Sequence, residues 1–341
     1  MAQIIPKKPV TVESNWQKEI ATSFTDPISL LKYLGLPVEN FFEDIKAREL
    51  FPMRVPRVFA ARMEKANPAD PLLLQVMTSR QEFDKTTGFS NDPLDEQSNN
   101  QPGILHKYKN RLLLLVRGGC AVNCRYCFRR HFPYSDNHLN KQQWQQALTY
   151  IADNPDINEV IYSGGDPLMA KDDFLAWLTQ EIEKIPHIKR LRIHTRLPVV
   201  IPSRVTTELL VWFSQSRLKP IMVLHVNHAN EIDASFGDAM QKLKQAGVTL
   251  LNQAVLLKGV NDLVEQQVAL NEGLFEIGVM PYYLHVLDKV TGAEHFDLAD
   301  SQAKILMADM IKRLPGYLVP KLVREIAGQP GKTPLDLQLH P

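Results

Sequence analysis

From about residue 111 onward the chain alternates unbroken apolar runs with longer stretches whose apolar residues recur at helical spacing. The runs cover residues 112–116, 160–162, 191–194, 221–226, 248–256 and 280–287, and they read as strands. One intervening stretch sets Phe174, Trp177, Leu178, Ile182 and Ile185 on a single helical face. Another carries Phe236, Met240 and Leu243 and ends at Gly247. A third opens with Asp262 and Glu265, three residues apart as in a capping box, and closes at Gly278. Strands alternating with helices predict right-handed βαβ units around a parallel sheet. About six units fall short of the eight in a closed TIM barrel. The expected fold is therefore α/β, an open, partial (β/α)6 TIM-like barrel with its chemistry at the C-terminal ends of the strands.

Before residue 100 this rhythm is missing. Trp16, Ile20 and Phe24, then Ile28, Leu31 and Leu34, predict short amphipathic helices broken at Asp26-Pro27 and Pro37. Proline-punctuated loops follow around Pro52, Pro68 and Pro93. The expected division is a mainly helical region over 1–104, the barrel over 105–315 and a short C-terminal segment over 316–341. With 341 residues, 44% hydrophobic and 23% charged, the chain has the composition of a soluble globular protein. A net charge of +1 gives no global pull toward nucleic acid or a membrane surface. No apolar run reaches transmembrane length, and residues 1–8 lack the apolar core of a leader, so a reduced, cytoplasmic setting is expected.

The candidate chemistry starts from the only three cysteines, Cys120, Cys124 and Cys127, spaced C-x3-C-x2-C directly after the first predicted strand. A [4Fe–4S] cube is normally held by four thiolates, so three would leave one iron open to a non-protein ligand. A zinc site would need His131 as a fourth ligand, and a disulfide is disfavoured by the odd count. Arg117, Arg125, Arg129, Arg130 and His131 around the thiols would lower their pKa values and offset the charge of a cluster. After the second predicted strand comes Ser163-Gly164-Gly165-Asp166-Pro167, whose glycines allow close backbone approach to a ligand. His225 and Gln253 sit on the fourth and fifth strands, where they can face the same mouth. Lys332 follows Gly328-Gln-Pro-Gly331, a turn able to deliver a lysine to a cofactor; a lysine in such a tail is more often simply solvated.

The cysteine spacing resembles the signature of the radical S-adenosylmethionine (SAM) superfamily, in which SAM chelates the open iron. Ser163-Gly-Gly-Asp then resembles the element that holds the SAM amino group, with Asp166 in the acidic place. From about Asp92 to Thr333 the chain resembles lysine 2,3-aminomutases, radical SAM enzymes that also use pyridoxal phosphate. The stretches that carry this are Pro102-Gly-Ile-Leu-His-Lys-Tyr, the cysteine loop with Arg129-Arg130, Asn252-Gln-Ala-Val-Leu-Leu-Lys-Gly-Val-Asn-Asp and Pro281-Tyr-Tyr. The resemblance implies Lys332 as the pyridoxal phosphate lysine. It places Arg111, Lys107 and Tyr108 at the cofactor phosphate, and His225 and Gln253 against SAM. Arg129 would bind the substrate carboxylate, with Asp288 and Glu325 taking the ε-ammonium of L-lysine. Glu325 departs from the family, which has Asp there, and the glycine run before Lys332 is thinner. The chain stops soon after Lys332, like the short members that serve elongation factor P (R)-β-lysylation. That likeness implies (R)-β-lysine as product, an external electron donor, and an elongation factor P ligase as the downstream partner. A radical SAM enzyme for another amino acid, one without pyridoxal phosphate, and a non-enzymatic iron–sulfur protein are the alternative readings.

Overall fold

The computed structural model describes residues 16–97, 101–137 and 139–337. The N-terminal residues that argued against a leader lie outside them. Nine strands form one sheet in chain order: β1 Ile104–Tyr108, β2 Arg111–Arg117, β3 Glu159–Gly164, β4 Arg190–Thr195, β5 Lys219–Leu224, β6 Thr249–Val255, β7 Met280–His285, β8 Lys321–Arg324 and β9 Thr333–Pro334. β2 through β8 pair in parallel, while β1 and β9 lie antiparallel at the two edges, so the barrel stays open. Sequential order follows from each helical crossover returning the chain beside the strand it left.

The six expected strands are β2 to β7. β8 is a seventh parallel strand that the apolar pattern did not reveal. Only Leu322 and Val323 of its four residues are buried, between Lys321 and Arg324, so no run stands out. The helices pack their apolar faces as expected. Asp172–Glu183 buries Leu175, Leu178 and Ile182; Ala234–Gln245 buries Phe236, Met240 and Leu243 and stops before Gly247, whose φ is 80°. The expected capping box at Asp262 does not form. The helix begins at Val264, Gln266 accepts from the Leu263 N–H at 3.0 Å, and Glu265 pairs with Arg313 instead. The helix simply starts later than the charge pattern suggested. None of the described helices is long and apolar enough to cross a membrane.

The region before β1 forms short helices, among them Trp16–Ala21 and Pro27–Leu34, the second capped by Asp26 at the expected break. Trp16, Phe24, Leu30, Leu31 and Leu34 join the same buried cluster as the barrel strands. This layer also grips the cysteine loop electrostatically. Glu82, fully buried, takes bonds from Arg125 and, at 2.6 Å, from Arg130, both fully buried as well. Removing one partner of a buried ion cluster leaves uncompensated charge and typically costs about 3–5 kcal/mol. Glu82→Ala should therefore lower the urea midpoint by that equivalent; a loss under about 1 kcal/mol would show that the two guanidiniums find other acceptors.

Candidate functional site

A cavity of about 510 Å³ opens at the C-terminal ends of the parallel strands. All three cysteines, the β3 loop, His225, Gln253, Asp288, Glu325 and Lys332 line it, as do Lys107, Tyr108, Arg111 and Arg129. The residues named for cofactor, substrate and cluster thus reach one place, while Arg117, Arg125, Arg130 and His131 do not line it.

The cysteine loop leaves β2 at Arg117 and is held from behind, with Arg54 donating to the Cys120 carbonyl at 3.0 Å and Arg125 N–H to the Gln75 carbonyl at 2.9 Å. The three thiols are free and half-buried. Burial pushes the Cys127 thiol up to about 11, with the neighbouring Cys124 adding to it, despite Arg129 and Arg130. Cys120 is raised by burial and by Cys127. The expectation that surrounding cations lower these pKa values therefore fails, because burial outweighs them and because Arg125 and Arg130 are spent on Glu82. His131 contacts the Thr291 carbonyl, and Arg117 is exposed. A cationic iron cluster suits such a set: Cys120 and Cys127, raised when alone, would be ionised by a bound metal. Sequence reasoning missed Arg196, whose guanidinium donates to Cys124 Sγ at 2.8 Å, to Tyr126 at 2.6 Å and to Glu231 at 2.9 Å.

The two glycines after β3 serve a different neighbour from the one expected. Gly164 has φ 123°, and a Cβ there would collide with the Arg117 carbonyl. At Gly165 a Cβ would lie 2.6 Å from the Gly118 carbonyl oxygen. Without side chains, Gly165 N–H reaches the Arg117 carbonyl at 2.7 Å and Asp166 N–H the Gly119 carbonyl at 3.0 Å. The β3 loop is thus bonded backbone to backbone onto the cysteine loop. Asp166 is a fastener too. Its carboxylate accepts from Thr195 Oγ1 and from the N–H groups of Leu168, Arg196 and Leu197. Asp166, expected at the SAM amino group, is thus held in place by four protein donors.

Across the cavity, Gln253 Nε2 and His225 Nε2 lie 3.0 Å apart. Burial, helped by Arg196 and Lys332, pushes His225 down to about 3, so the ring is neutral. His194 and His285, at the ends of β4 and β7, each bury an Nε2 with no partner among the described residues. The signal that found His225, a histidine closing a strand, applied to both and went unused.

The remaining charges form one alternating row. Arg129 pairs with Glu96 at 2.6 and 3.0 Å, Glu96 with Lys107 at 2.7 Å, Lys107 with Glu325 at 3.3 Å, and Glu325 with Lys332 at 2.7 Å. Tyr108 also donates to Glu325 at 3.0 Å, and Arg111 stacks 4.0 Å above the Tyr108 ring. Arg129 further reaches Ser163 Oγ at 3.1 Å and the Gly164 carbonyl at 3.2 Å. Burial opposes the charge on Glu325, but Lys332 and Lys107 hold its pKa well below the usual carboxylate range. Asp288 goes the other way: enclosure in the cavity, then Glu325, push it up to about 7. Glu96 was not foreseen; it lies in a proline-rich loop 33 residues from Arg129.

A profile of the radical SAM superfamily matches residues 114–207, from β2 through the cysteine and glycine loops. An L-lysine 2,3-aminomutase of Escherichia coli (strain K12) is 57% identical over 96% of both chains. The chain belongs to the lysine 2,3-aminomutase family. An aminomutase of that name from Haemophilus influenzae is 56% identical over 97% of this chain and 98% of its own, and one from Clostridium subterminale is 33% identical over 94% and 78%. Membership makes this chain an isomerase of the aminomutase type within the radical SAM superfamily. It also implies the family's cofactors: a [4Fe–4S] cluster, SAM and pyridoxal phosphate.

The unlike states of the two carboxyls carry a pH consequence for the ligand-free protein. Asp288 binds its proton more tightly folded than unfolded, so its contribution to stability is complete below about pH 4 and is lost as pH rises to about 7. Within that window each pH unit removes up to about 1.4 kcal/mol. Asp288→Asn should flatten this slope and raise the melting temperature at pH 8, and a parent-like pH profile for the variant would contradict the assignment.

Proposed function

We propose that this aminomutase acts on L-lysine, moving the α-amino group to the β-carbon, with pyridoxal phosphate attached at Lys332. The supporting observation is that one cavity holds three clustered thiols, a lysine paired with a carboxylate, and a second carboxyl that is poised to ionise. Cys120, Cys124 and Cys127 would hold the cluster, leaving an iron for SAM beside the Ser163–Gly165 backbone, His225 and Gln253. Arg111, with Lys107 and Tyr108 beside it, would hold the cofactor phosphate. Bound together, these groups supply the one-electron and amine-carrying chemistry that side chains lack.

The chain's own residues supply recognition and charge control. Lys332, once attached to a cofactor, would no longer present an ammonium to Glu325, leaving Lys107 as the cation beside it and Tyr108 as a hydrogen-bond donor. Asp288 releases its proton when a cation approaches. Two carboxylates then face the cavity, and a basic side chain relieves their repulsion where a neutral or acidic one does not. Arg129 presents a planar fork suited to a carboxylate at the other end of the row. Its pairing with Glu96 sets where that fork stands. The neutral His225 pairs with Gln253 without adding charge near SAM. The further reading is that the product is (R)-β-lysine, made in the cytoplasm with an external electron donor and passed to the elongation factor P ligase. It rests on the likeness of this chain to the short members of the family.

The test is anaerobic turnover of L-lysine by the reconstituted protein with SAM, pyridoxal phosphate and dithionite, with the product resolved by chiral chromatography. β-Lysine formation is expected, and none from L-glutamate. Any one of Cys120→Ala, Cys124→Ala or Cys127→Ala should abolish SAM cleavage. Borohydride followed by peptide mass spectrometry should place the pyridoxyl group on Lys332, and Lys332→Ala should lose it while retaining iron. A pyridoxyl group on another lysine, or a parent that prefers glutamate, would overturn the reading.

A further inference from the structure

A second cavity, of about 560 Å³, lies outside the barrel between β2 and the helices Lys141–Ala152 and Asp172–Glu183. Its volume falls within the range of small-molecule sites, roughly 300–1,000 Å³. Leu139, Trp144, Phe174 and Trp177 form an apolar wall. Trp144 and Phe174 meet edge to face with ring centroids 5.5 Å apart, and Phe174 and Trp177 lie 5.8 Å apart at 36°. Phe174 and Trp177 stay half-buried on a helix that buries Leu175, Leu178 and Ile182, and both rings line the cavity. Around the rim stand Arg117, Lys141 and Lys171, all exposed and without an ion-pair partner among the described residues. No carboxylate is among the described lining residues.

We propose that this cavity binds a small planar aromatic molecule carrying one anionic group. Flat rings favour offset or edge-on contact with aromatic faces, which an aliphatic chain does not reproduce. Three unpaired cations at the opening favour an anion and disfavour a cation. The site is separate from the catalytic cavity but shares a wall with it. Tyr134 lines the aromatic cavity, and its hydroxyl donates to the Gly164 carbonyl at 2.8 Å, the oxygen that Arg129 also reaches. Gly118 backs Tyr134 so closely that a Cβ there would lie 2.6 Å from the tyrosine Cβ. A ligand against Tyr134 is therefore one hydrogen bond from the loop bonded to the cysteines.

The test is calorimetric titration of the full-length, cofactor-loaded protein with 2-naphthoate, 2-naphthylmethanol and decanoate, with tryptophan emission as a second readout. One naphthoate per chain is expected, with quenching from Trp144 and Trp177. The Lys141→Glu, Lys171→Glu double variant touches only exposed side chains and should keep the parent melting temperature. It should weaken naphthoate at least about fivefold, with the loss shrinking in high salt. The neutral alcohol should bind about as much more weakly to the parent. Phe174→Ala should weaken both aromatic probes together. No binding of naphthoate, unchanged affinity in the double variant, or decanoate binding more tightly than naphthoate would each overturn the proposal.

Discussion

Five charges of alternating sign, from Arg129 through Glu96, Lys107 and Glu325 to Lys332, cross the mouth of the barrel, and the catalytic cavity depends on their order. Each member is buried or half-buried, and an isolated charge in such a place would neutralise or drive the chain open. The row is tolerable because each ion inside it has two opposite neighbours. It also ties together parts of the chain that are distant in sequence: the loop before β1, β1 itself, the cysteine loop, and the turn after β8. A change at Lys332 is thus transmitted to Glu325 and Lys107 before it reaches Arg129.

The second constraint is backbone contact. A cluster loop must hold three thiols in fixed relation without regular secondary structure to do it. Here the loop is clamped on one face by the β3 glycines and on the other by Arg54 and the Glu82 cluster of the N-terminal layer. The glycines therefore serve packing between two loops first and ligand approach second. Asp166 extends the same clamp to the start of the segment after β4, so the ends of three successive strands are locked together.

Much of this was legible in the sequence because it depends on local pattern. Apolar runs located β2 to β7, and a three-cysteine spacing located the cluster loop without any tertiary information. Lys332 was singled out through family resemblance, since a lysine in a Gly/Pro turn carries little signal alone; its place in the cavity beside Glu325 is a finding of the fold. What was not legible depends on partners far apart in the chain. Glu96 reads as one acid among several in a proline-rich loop until Arg129 is folded beside it. Asp166 matched a motif position, yet its lone pairs go to Thr195 and to backbone N–H groups that no motif includes. β8 escaped because four residues with charged ends make a strand only when β7 supplies the pairing partner. The Asp262 capping box failed for the opposite reason, a local pattern overruled by where the helix begins.

The opposed states of Asp288 and Glu325 show how the same chemical group is given two roles by position. Glu325 stands between two ammonium groups and stays ionised however deeply it is enclosed. Asp288 feels the same two cations, but enclosure and the like charge of Glu325 outweigh them there, so it keeps its proton to about neutral pH. On the reading proposed above, attaching Lys332 to a cofactor would withdraw one ammonium from Glu325 and leave the row with two cations against two carboxylates. A substrate ammonium entering there would restore the lost partner, and its approach would favour the ionised form of Asp288.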